Sequence, residues 1–487
     1  MYEAPVKVTR LPHRIHPDPR RVIARFFGGD EERNRRRIQR VLSMPGDQVE
    51  CILNELESVY GRQHPDIAEI WQEHYRQVKP FMPEGADSLD EHRKLLIGAY
   101  FTMEYSVESA ALFNPSIVAA LDQSGLPEGS KRFIMSLRAT GEGHLSSIVF
   151  RRGVIDTDGN IEHHEPSPTS RMIKPIPDAE FNTGRFRQTL QDVGAHSDLV
   201  EKVLVALGES FSLGELEREL SQTRDRSAPS DWEAVSDNML TLARSNYKLR
   251  VPKGTRPSEM VIFPTSENES RGIEDLRMVN FTHDDGSVKI YGTYTASNGF
   301  TTFPTLLETS DLETIEVHTM AGTYARNKGM ALFPRKINGD YVMSGRLDGE
   351  NLYILRSKNN RVWNSGVLSQ EPKYWWEFSI IGNCGSPVET PEGWLLLTHG
   401  VGPMRQYCIG AVLLDLDDPT KVIGRTRDPL IVPVDEERVG YVPNVVYTCG
   451  LMAHNGKLII PFAVSDHATT FASIQTAELI EYLKSTN

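Results

Sequence analysis

Two stretches of the chain carry apolar side chains at three- and four-residue steps, the spacing that predicts amphipathic helices. The first covers about residues 30–100, where Ile38, Val41 and Leu42 begin an apolar stripe between Glu and Arg residues. The second runs from about Asn182 to Leu249 and has a similar stripe. We therefore expect two helical regions, well separated along the chain.

The rest of the chain has β-type patterns, and its turn signals recur. In each of five units a turn residue or glycine precedes an apolar strand that ends in polar residues. The units begin at Gly129, Gly286, Gly339, Gly393 and Gly456. The last four begin at intervals of 53, 54 and 63 residues, and the first interval, 157 residues, is longer because it contains the second helical stretch. A period of about 50 residues with several short strands is typical of a β-propeller blade.

This repeat predicts a mainly β protein built as a five-bladed β-propeller. We expect a mainly helical N-terminal extension at residues 1–104 and the propeller domain at residues 105–487. The second helical stretch is then an insertion after the first blade, at about residues 178–250.

The predicted propeller would bring distant polar residues together, because the innermost strand of each blade lines a central channel. The five repeated strands end at Arg138, Tyr294, Arg346, His399 and Asp466. We expect these side chains to surround one mouth of that channel. The alternative is that each is an ordinary surface residue, although turn residues are more often small or amide-bearing.

The charge of the chain narrows the class of partner. Of 487 residues, 53 are Lys or Arg and 66 are Asp or Glu, so the net charge is −13. Nucleic acids and anionic membranes bind positive surfaces, so neither is expected as a partner. Residues 1–14 lack an apolar stretch of signal-peptide length, and no apolar segment reaches 18 residues. A cytoplasmic location is therefore expected.

Adjacent carboxylates supply the most specific candidate chemistry. Glu274 and Asp275 come just before Arg277 and an apolar strand. In an extended chain the two carboxylates point to opposite faces, so one faces the channel while the other pairs with an arginine. Burial raises the pKa of a carboxyl group and suits it to general acid catalysis. The alternative is an ordinary salt-bridged strand edge.

Other kinds of site have less support. The sequence contains no G-x-S-x-G elbow of a serine hydrolase and no Walker or Rossmann glycine loop. His, Cys and carboxylate residues lack the spacing of metal ligands, so no metal is expected. Trp363, Trp375, Trp376 and Trp394 lie near the channel segments in sequence, and aromatic rings beside carboxylates favour a carbohydrate ligand.

Several longer segments make the interpretation more specific. They are Phe113–Ser116, Gly272–Arg277, Thr293–Ala296, Leu332–Gly339, Gly393–Val401, Leu413–Pro419 and Pro443–Val446. In sequence and in order these segments resemble glycoside hydrolase family 130, over about residues 105–485 without the helical insertion. The N-terminal helices lie outside the resemblance.

The resemblance implies a five-bladed propeller that cleaves β-mannosidic linkages, here β-1,2-mannosides, with inversion. Asp275 matches the catalytic acid of the family, whose proton reaches the glycosidic oxygen through a substrate hydroxyl. Asn114, Arg138, His399 and Asp466 match residues that hold the mannosyl unit. The other candidate substrate-binding residues are Glu274, Arg277, Tyr294, Lys336, Arg346, Glu389, Arg405 and Tyr407.

Two chemistries fit the resemblance, and they place different demands on the site. Hydrolysis needs a second carboxylate about 6.5–9.5 Å from the acid to activate water, and Glu377 and Glu350 are the candidate bases. Phosphorolysis needs a cationic pocket for a phosphate dianion. Where the phosphorylases typically carry a His-Arg pair, this chain reads Ser344-Gly345-Arg346. The sequence therefore predicts hydrolysis.

The alternative is an inverting phosphorylase that produces mannose 1-phosphate, with inorganic phosphate as co-substrate. The cations available for phosphate are Arg326, Lys328, Arg335, Lys336, Arg346 and Arg405. No other cofactor is expected in either case. The expected partner is a β-mannoside disaccharide or oligosaccharide, and the added helices suggest a homo-oligomer. A third possibility is a noncatalytic carbohydrate-binding propeller, which needs no protonated Asp275.

Overall fold

The computed structural model of the protein describes residues 4–83, 89–176, 179–192, 194–226 and 232–486. Strands predominate over helices in this part of the chain, so the prediction of a mainly β protein is confirmed. Five sheets of four or more strands form the larger part of the fold within the described residues. Three predicted boundaries, residue 1 of the N-terminal extension, residue 178 of the insertion and residue 487 of the propeller domain, lie outside the described residues.

Each of the first two sheets contains strands from both sides of the helical insertion. Across the first sheet the strands are Ala111–Ala119, Lys131–Thr140, Ser146–Ile155, Met260–Ile262 and Arg171–Met172, with Ile161–His163 also paired to Ser146–Ile155. Across the second they are Ile273–Thr282, Val288–Ser297, Thr302–Thr309, Thr314–Thr319, Tyr247–Arg250 and Lys174–Pro175. Strands that flank the insertion thus anchor it to two different sheets.

The other three sheets follow along the chain. The third consists of Lys328–Leu332, Tyr341–Arg346, Leu352–Ser357 and Ser365–Gln370. The fourth consists of Ile380–Asn383, Gly393–Val401, Tyr407–Leu414 and Val422–Arg425, with Val388–Thr390 also paired to Gly393–Val401. The fifth consists of Val446–Tyr447, Lys457–Val464, Ala468–Gln475 and Val8–Ile15, with Met452–His454 also paired to Lys457–Val464.

The strand Val8–Ile15 belongs to the fifth sheet, although the sequence assigns it to the N-terminal extension. It pairs antiparallel with Ala468–Gln475, in a register that sets Val8 opposite Ile474. A second N-terminal strand, Val22–Phe26, pairs with Thr102–Ser106. A segment from the start of the chain therefore completes the last sheet.

Each sheet contacts the next one in sequence, and the fifth contacts the first. These contacts involve the first strand of each sheet or the residues beside it. They are Met278 with Ser116, Thr293 with Met330, Arg346 with Gly382, Gly385 with Cys449, and Cys449 with Pro115. The repeated strands found in the sequence are the second strands of the five sheets. The first strand of each sheet lies nearest the neighbouring sheets, and we call these five first strands the inner strands.

The helices form the two predicted groups and one C-terminal addition. The N-terminal helices are Glu31–Leu42, Gly46–Tyr60, Ile67–Val78 and Glu91–Tyr100. Those of the insertion are Thr183–Asp192, Asp198–Leu207, Leu213–Arg226 and Trp232–Arg244, and the last helix is Thr476–Ser485. Side chains at Asp30, Asp90 and Ser197 accept hydrogen bonds from first-turn N–H groups, which explains where three of these helices begin. In the described part of the chain, none of the helices has both the length and the apolar character that a membrane crossing requires.

A buried ion network joins the N-terminal region to the first sheet. Glu108 is fully buried and accepts hydrogen bonds from Arg21 Nε at 2.8 Å and from Arg151 Nη2 at 2.7 Å. The other two Arg21 nitrogens donate to the carbonyl oxygens of Ser167 and Ser258, each at 2.6 Å. Because all of these groups are shielded from water, each charge depends on its partners.

We expect Arg21→Ala to lower the free energy of unfolding by about 3–5 kcal/mol, since it leaves the buried Glu108 with one cation fewer. The neighbouring Arg20, whose salt bridge to Asp18 is exposed, provides the control, and Arg20→Ala should leave the urea midpoint almost unchanged. Urea unfolding of the two variants and the parent protein measures the effect. Equal midpoints for the two variants would contradict the role given to Arg21.

Candidate active site

The strand Ile273–Thr282 is interrupted by a β-bulge at Asp275. Its register with the next strand shifts between Glu274 and Arg277, and Asp275 has a φ of 58°. An extra residue in a bulge changes the direction in which side chains point. As a result both carboxylates approach Arg138, whose Nη2 donates to Glu274 Oε1 at 3.0 Å and whose Nη1 lies 3.7 Å from Asp275 Oδ1. The expectation that they face opposite sides of the strand is therefore wrong.

Asp275 lies among groups from two sheets. Asn114 Nδ2 donates a hydrogen bond to Asp275 Oδ1 at 2.8 Å. Arg277 Nη1 donates to the Asp275 carbonyl oxygen at 2.8 Å, and its Nη2 lies 3.7 Å from Asp275 Oδ2. Asn114 lies within a similar register shift, between Phe113 and Ser116, and its φ is 49°. Matching bulges on adjacent inner strands thus bring these side chains together.

Left-handed backbone recurs at residues around Asp275. Besides Asn114 and Asp275, Arg405 has a φ of 53° and Asp466 a φ of 48°. Non-glycine residues rarely adopt this conformation, and it costs free energy that the surrounding structure must offset. These four residues come from the first, second, fourth and fifth sheets or their loops, so the strain is concentrated where the sheets converge.

The charges around the two aspartates shift their pKa values in opposite directions. Burial alone raises the pKa of Asp275, but Arg138, Arg277 and the hydrogen bond from Asn114 outweigh it and hold that pKa below its ordinary value. Burial and the nearby Asp275 raise the pKa of Asp466 to about 6, despite the opposing effect of Arg138. The expected raised pKa thus belongs to Asp466, while Asp275 is stabilised as the carboxylate.

Lys328 also reaches this cluster. Its Nζ donates to Glu274 Oε2 at 2.7 Å, so Glu274 is held between Lys328 and Arg138. Lys328 lies opposite Arg346 in the third sheet, where a bulge follows at Gly329, whose φ is 84°. The sequence indicates Lys328 only as one of several cations, and no motif in the sequence marks its position beside Glu274.

His399 and two tyrosines form the side of the cluster that belongs to the fourth and fifth sheets. The fully buried imidazole is parallel to the ring of Tyr407 at 6.1 Å and meets the edge of Tyr447 at 4.9 Å. The Tyr447 hydroxyl accepts a hydrogen bond from Arg277 Nη2 at 2.9 Å, which connects it to Asp275. Tyr447 is absent from the sequence-based candidates, although it directly follows the segment Pro443–Val446.

Arg346 lies close to His399 because a glycine separates them. A Cβ atom on Gly382 would fall 2.4 Å from Arg346 Cδ and 2.6 Å from His399 Cε1, so only glycine fits. Burial, together with Arg346 and Arg277, holds the pKa of His399 well below its ordinary value, so the ring is neutral. Among the described residues Arg346 Nε has no hydrogen-bond partner, and the ring nitrogens of His399 make no well-formed hydrogen bond, with only the Asn383 backbone nearby. Buried polar atoms of this kind are suited to a bound ligand.

Several of the predicted substrate-binding residues lie elsewhere. Lys336 pairs with Asp284 at 2.8 Å, and Glu389 pairs with Arg335 at 2.9 Å. Arg335 bridges to Thr282, the last residue of the strand that carries Asp275, about 23 Å along that strand from the bulge. Lys336 and Glu389 therefore lie at the opposite end of the inner strands, and their assignment to the Asp275 site was wrong.

Tyr294 is also separated from the Asp275 cluster. The Tyr294 hydroxyl donates to Glu269 Oε1 at 2.6 Å, beside Tyr247, which donates to the same oxygen at 2.8 Å. Its ring packs among apolar residues between the first and second sheets. Its assignment to the substrate site was wrong, because alternation along the strand turns it away from the Asp275 cluster.

Neither candidate base for hydrolysis joins the Asp275 cluster. Glu377 is fully buried, and its Oε1 accepts hydrogen bonds from the backbone N–H groups of Lys373 and Tyr374 and from Arg425. It therefore organises a turn. Glu350 is exposed on the connection between two strands of the third sheet. The catalytic role predicted for these two glutamates is thus not supported by their positions.

The predicted tryptophan surface is largely absent from the described structure. Trp363, Trp376 and Trp394 are fully buried and are among the largest buried side chains of the described structure. Trp375 is 42% exposed. Core packing rather than sugar binding therefore explains three of the four rings.

A separate group of possible metal ligands carries its own counter-charges. His318 Nε2 lies 3.3 Å from Glu308 and 3.4 Å from Glu316. Arg361 lies 2.7 Å from Glu308, and Lys248 lies 2.8 Å from Glu316. Because these cations already balance the carboxylates, the group has little electrostatic attraction for a metal ion.

Comparison with known proteins finds similar sequences that are named as mannoside phosphorylases. A family model described as beta-1,4-mannooligosaccharide phosphorylase, that of glycoside hydrolase family 130, matches residues 233–485. A beta-1,2-mannobiose phosphorylase of Listeria innocua is 30% identical over 232 residues, which cover 46% of this chain and 63% of that protein. A 1,2-beta-oligomannan phosphorylase of Thermoanaerobacter is 35% identical over 156 residues, 31% of this chain and 52% of that protein. The chain thus spans between about half and two thirds of the length of these curated relatives.

Among solved structures, that of the Listeria innocua beta-1,2-mannobiose phosphorylase in complex with beta-1,2-mannobiose is similar at 20% identity. Its TM-score is 0.46, and the match covers 78% of this chain and 93% of that chain.

We expect Asp275→Asn to lower the pKa of Asp466 from about 6 towards its ordinary value, because the substitution removes a neighbouring negative charge. Glu274→Gln should lower it by a smaller amount, since Glu274 contributes less to the shift. Carboxyl-carbon NMR titration of aspartate-labelled protein measures both effects. An unchanged Asp466 titration in Asp275→Asn would show that the two carboxylates do not interact.

Proposed function

Since the chain belongs to glycoside hydrolase family 130, we propose that it is an inverting β-mannoside phosphorylase, which transfers a mannosyl unit from a β-mannoside to inorganic phosphate. The observation that carries this proposal is the charge of the cluster around Asp275. Arg138, Arg277 and Lys328 contact the Glu274–Asp275 pair, with Arg346 opposite Lys328. The two candidate bases for hydrolysis, Glu377 and Glu350, lie outside the Asp275 cluster. The curated relatives reported above are named phosphorylases. Phosphorolysis is therefore preferred to the hydrolysis that the sequence predicts.

In the proposed reaction Asp275 is the general acid. A phosphate oxygen forms a bond to the anomeric carbon while the bond from that carbon to the glycosidic oxygen breaks. The proton of Asp275 passes to the departing oxygen through a hydroxyl of the mannosyl unit. Attack from the face opposite the leaving group converts the β-mannoside into α-mannose 1-phosphate. Asn114, Arg138, His399 and Asp466 hold the mannosyl unit.

Phosphate also prepares the acid for its role. The cations beside Asp275 keep the pKa of its carboxyl group low, which disfavours the protonated form that the reaction requires. A phosphate dianion bound among Lys328, Arg346 and Arg405 offsets part of that positive charge and so raises the pKa of Asp275. Binding of the second substrate thus favours protonation of the acid.

The arrangement of the sheets supports the further proposal that the fold is a five-bladed propeller. Five sheets contact one another in succession, and Cys449 N donates to Pro115 O at 2.8 Å between the fifth and the first. In this arrangement the predicted domain at residues 105–487 also takes in the N-terminal strand Val8–Ile15. The bulged inner strands would then surround one mouth of an axial channel.

We expect mannose 1-phosphate to form from a β-mannobiose only when inorganic phosphate is present. The β-1,2-linked disaccharide is the first to test, because the two curated relatives have β-1,2 names, and the β-1,4-linked one follows. Chromatography of the products detects both mannose 1-phosphate and free mannose. Free mannose formed at the same rate without phosphate would overturn the proposal in favour of hydrolysis.

The Asp275→Asn variant is the matched control for this assay. Loss of the acid should reduce turnover about 10²–10⁴-fold, while calorimetry should show that the disaccharide still binds. Binding by both proteins with turnover by neither would indicate a noncatalytic carbohydrate-binding protein instead.

We expect Arg346→Ala to raise the KM for phosphate roughly 10–100-fold, since it removes a charge-assisted hydrogen bond to the dianion. Lys336→Ala removes the same charge at the other end of the inner strands and should leave that KM unchanged. Initial rates at varied phosphate and fixed disaccharide give both values. Equal effects in the two variants would show that the phosphate site does not include Arg346.

A further inference from the structure

Two exposed rings from different parts of the chain meet beside the Asp275 cluster. The Tyr441 side chain is 75% exposed, and its ring centre lies 5.5 Å from that of His144, with 37° between the ring planes. Burying an aromatic side chain is normally favourable, so a large ring left in water next to a binding site is a candidate contact surface.

The Tyr441 loop is fixed to the turn that carries Asp466. Val442 N donates to the Ser465 carbonyl oxygen at 3.0 Å, and Ser465 Oγ donates to the Glu437 carbonyl oxygen at 2.5 Å. Gly440 approaches the same turn so closely that a Cβ atom there would lie 2.5 Å from the Ser465 oxygen. Because Ser465 directly precedes Asp466, Tyr441 has a defined position relative to the sugar-binding carboxylate.

His144 is fixed in a similar way to the strand that carries Arg138. It ends the short helical turn Glu142–His144, which follows that strand after Thr140 and Gly141. His144 N donates to the Gly141 carbonyl oxygen at 3.2 Å, and the φ of His144 is 57°. The ring therefore lies beyond the end of the Arg138 strand, where it meets Tyr441.

We propose that Tyr441 and His144 form a sugar-binding surface for the third and later units of an oligomeric β-mannoside, counted from the mannosyl unit being transferred. This inference rests on the proposed function. The mannosyl unit occupies the deeper groups around Asp275, so the remainder of the substrate extends outward past the two rings. The face of a pyranose packs on an aromatic ring, while its hydroxyl groups bond to polar edges such as the Tyr441 hydroxyl and the His144 nitrogens. The enzyme then prefers β-mannosides of three or more units to disaccharides.

The preference for a sugar over a second copy of the chain follows from how the exposed side chains are distributed. Met404, 90% exposed, is on a third loop, which is tied to the Tyr441 loop by a hydrogen bond from Asn444 Nδ2 to the Met404 oxygen at 3.2 Å. The adjacent Arg405 is exposed and charged. The exposed apolar side chains are thus divided among separate loops, and the charged Arg405 lies between them. Such a surface suits a narrow, partly polar ligand better than a flat protein interface.

The test compares a β-mannotriose with the corresponding β-mannobiose at saturating phosphate. For Tyr441→Ala we expect the ratio of the two kcat/KM values to fall about tenfold, because the triose loses the ring contact and the biose does not depend on it. Tyr441→Phe retains the ring and should keep most of the preference. Tyr100→Ala, at a half-exposed tyrosine of the N-terminal helices, is the matched control and should leave the ratio unchanged.

An unchanged ratio in Tyr441→Ala would overturn the inference. So would light scattering that shows a dimer of the parent protein separated by this substitution, because a second copy would then cover the surface. If the parent protein forms no mannose 1-phosphate from any substrate, the proposed function fails by itself. The same triose-to-biose comparison, made by calorimetric affinities of parent protein and Tyr441→Ala, then decides the inference separately.

Discussion

The arrangement of the site depends on Arg138, which lies between two carboxylates of the next sheet. Its guanidinium donates to Glu274 and approaches Asp275, so one cation from the first sheet fixes two anions of the second. This contact requires both carboxylates on one side of their strand, which the bulge at Asp275 provides. The backbone strain at Asp275 and the ion pairs are therefore mutually dependent, because the contacts offset the cost of the left-handed conformation.

The same charges explain why two nearby aspartates differ. Asp275 has Asn114, Arg138 and Arg277 around it, whereas Asp466 has the negative charge of Asp275 among its neighbours. Groups whose environments separate their pKa values are typical of sites that move protons. In the free protein Asp275 is therefore the carboxylate that organises the surrounding cations, whereas Asp466 takes up a proton more readily.

The β pattern, the two helical regions and the five repeated units were predictable, because they depend on the spacing of apolar residues and on turn residues. The inner strands were not, since bulges at Asn114, Asp275 and Gly329 interrupt their alternation. Lys336 and Glu389 were misplaced because sequence proximity to a conspicuous segment does not show at which end of a strand a residue lies. Glu377 was a candidate base in the sequence. In the structure its Oε1 accepts hydrogen bonds from two backbone N–H groups and from Arg425, so it stabilises a turn.

The pairing of Val8–Ile15 with Ala468–Gln475 has a consequence for how the protein is made. A ribosome releases the first of these strands long before the second, so the early segment remains without its partner throughout most of translation. Until then its unpaired edge needs protection from association with other chains. Completion of the final sheet is thus necessarily a late event, governed by contact between residues more than four hundred positions apart.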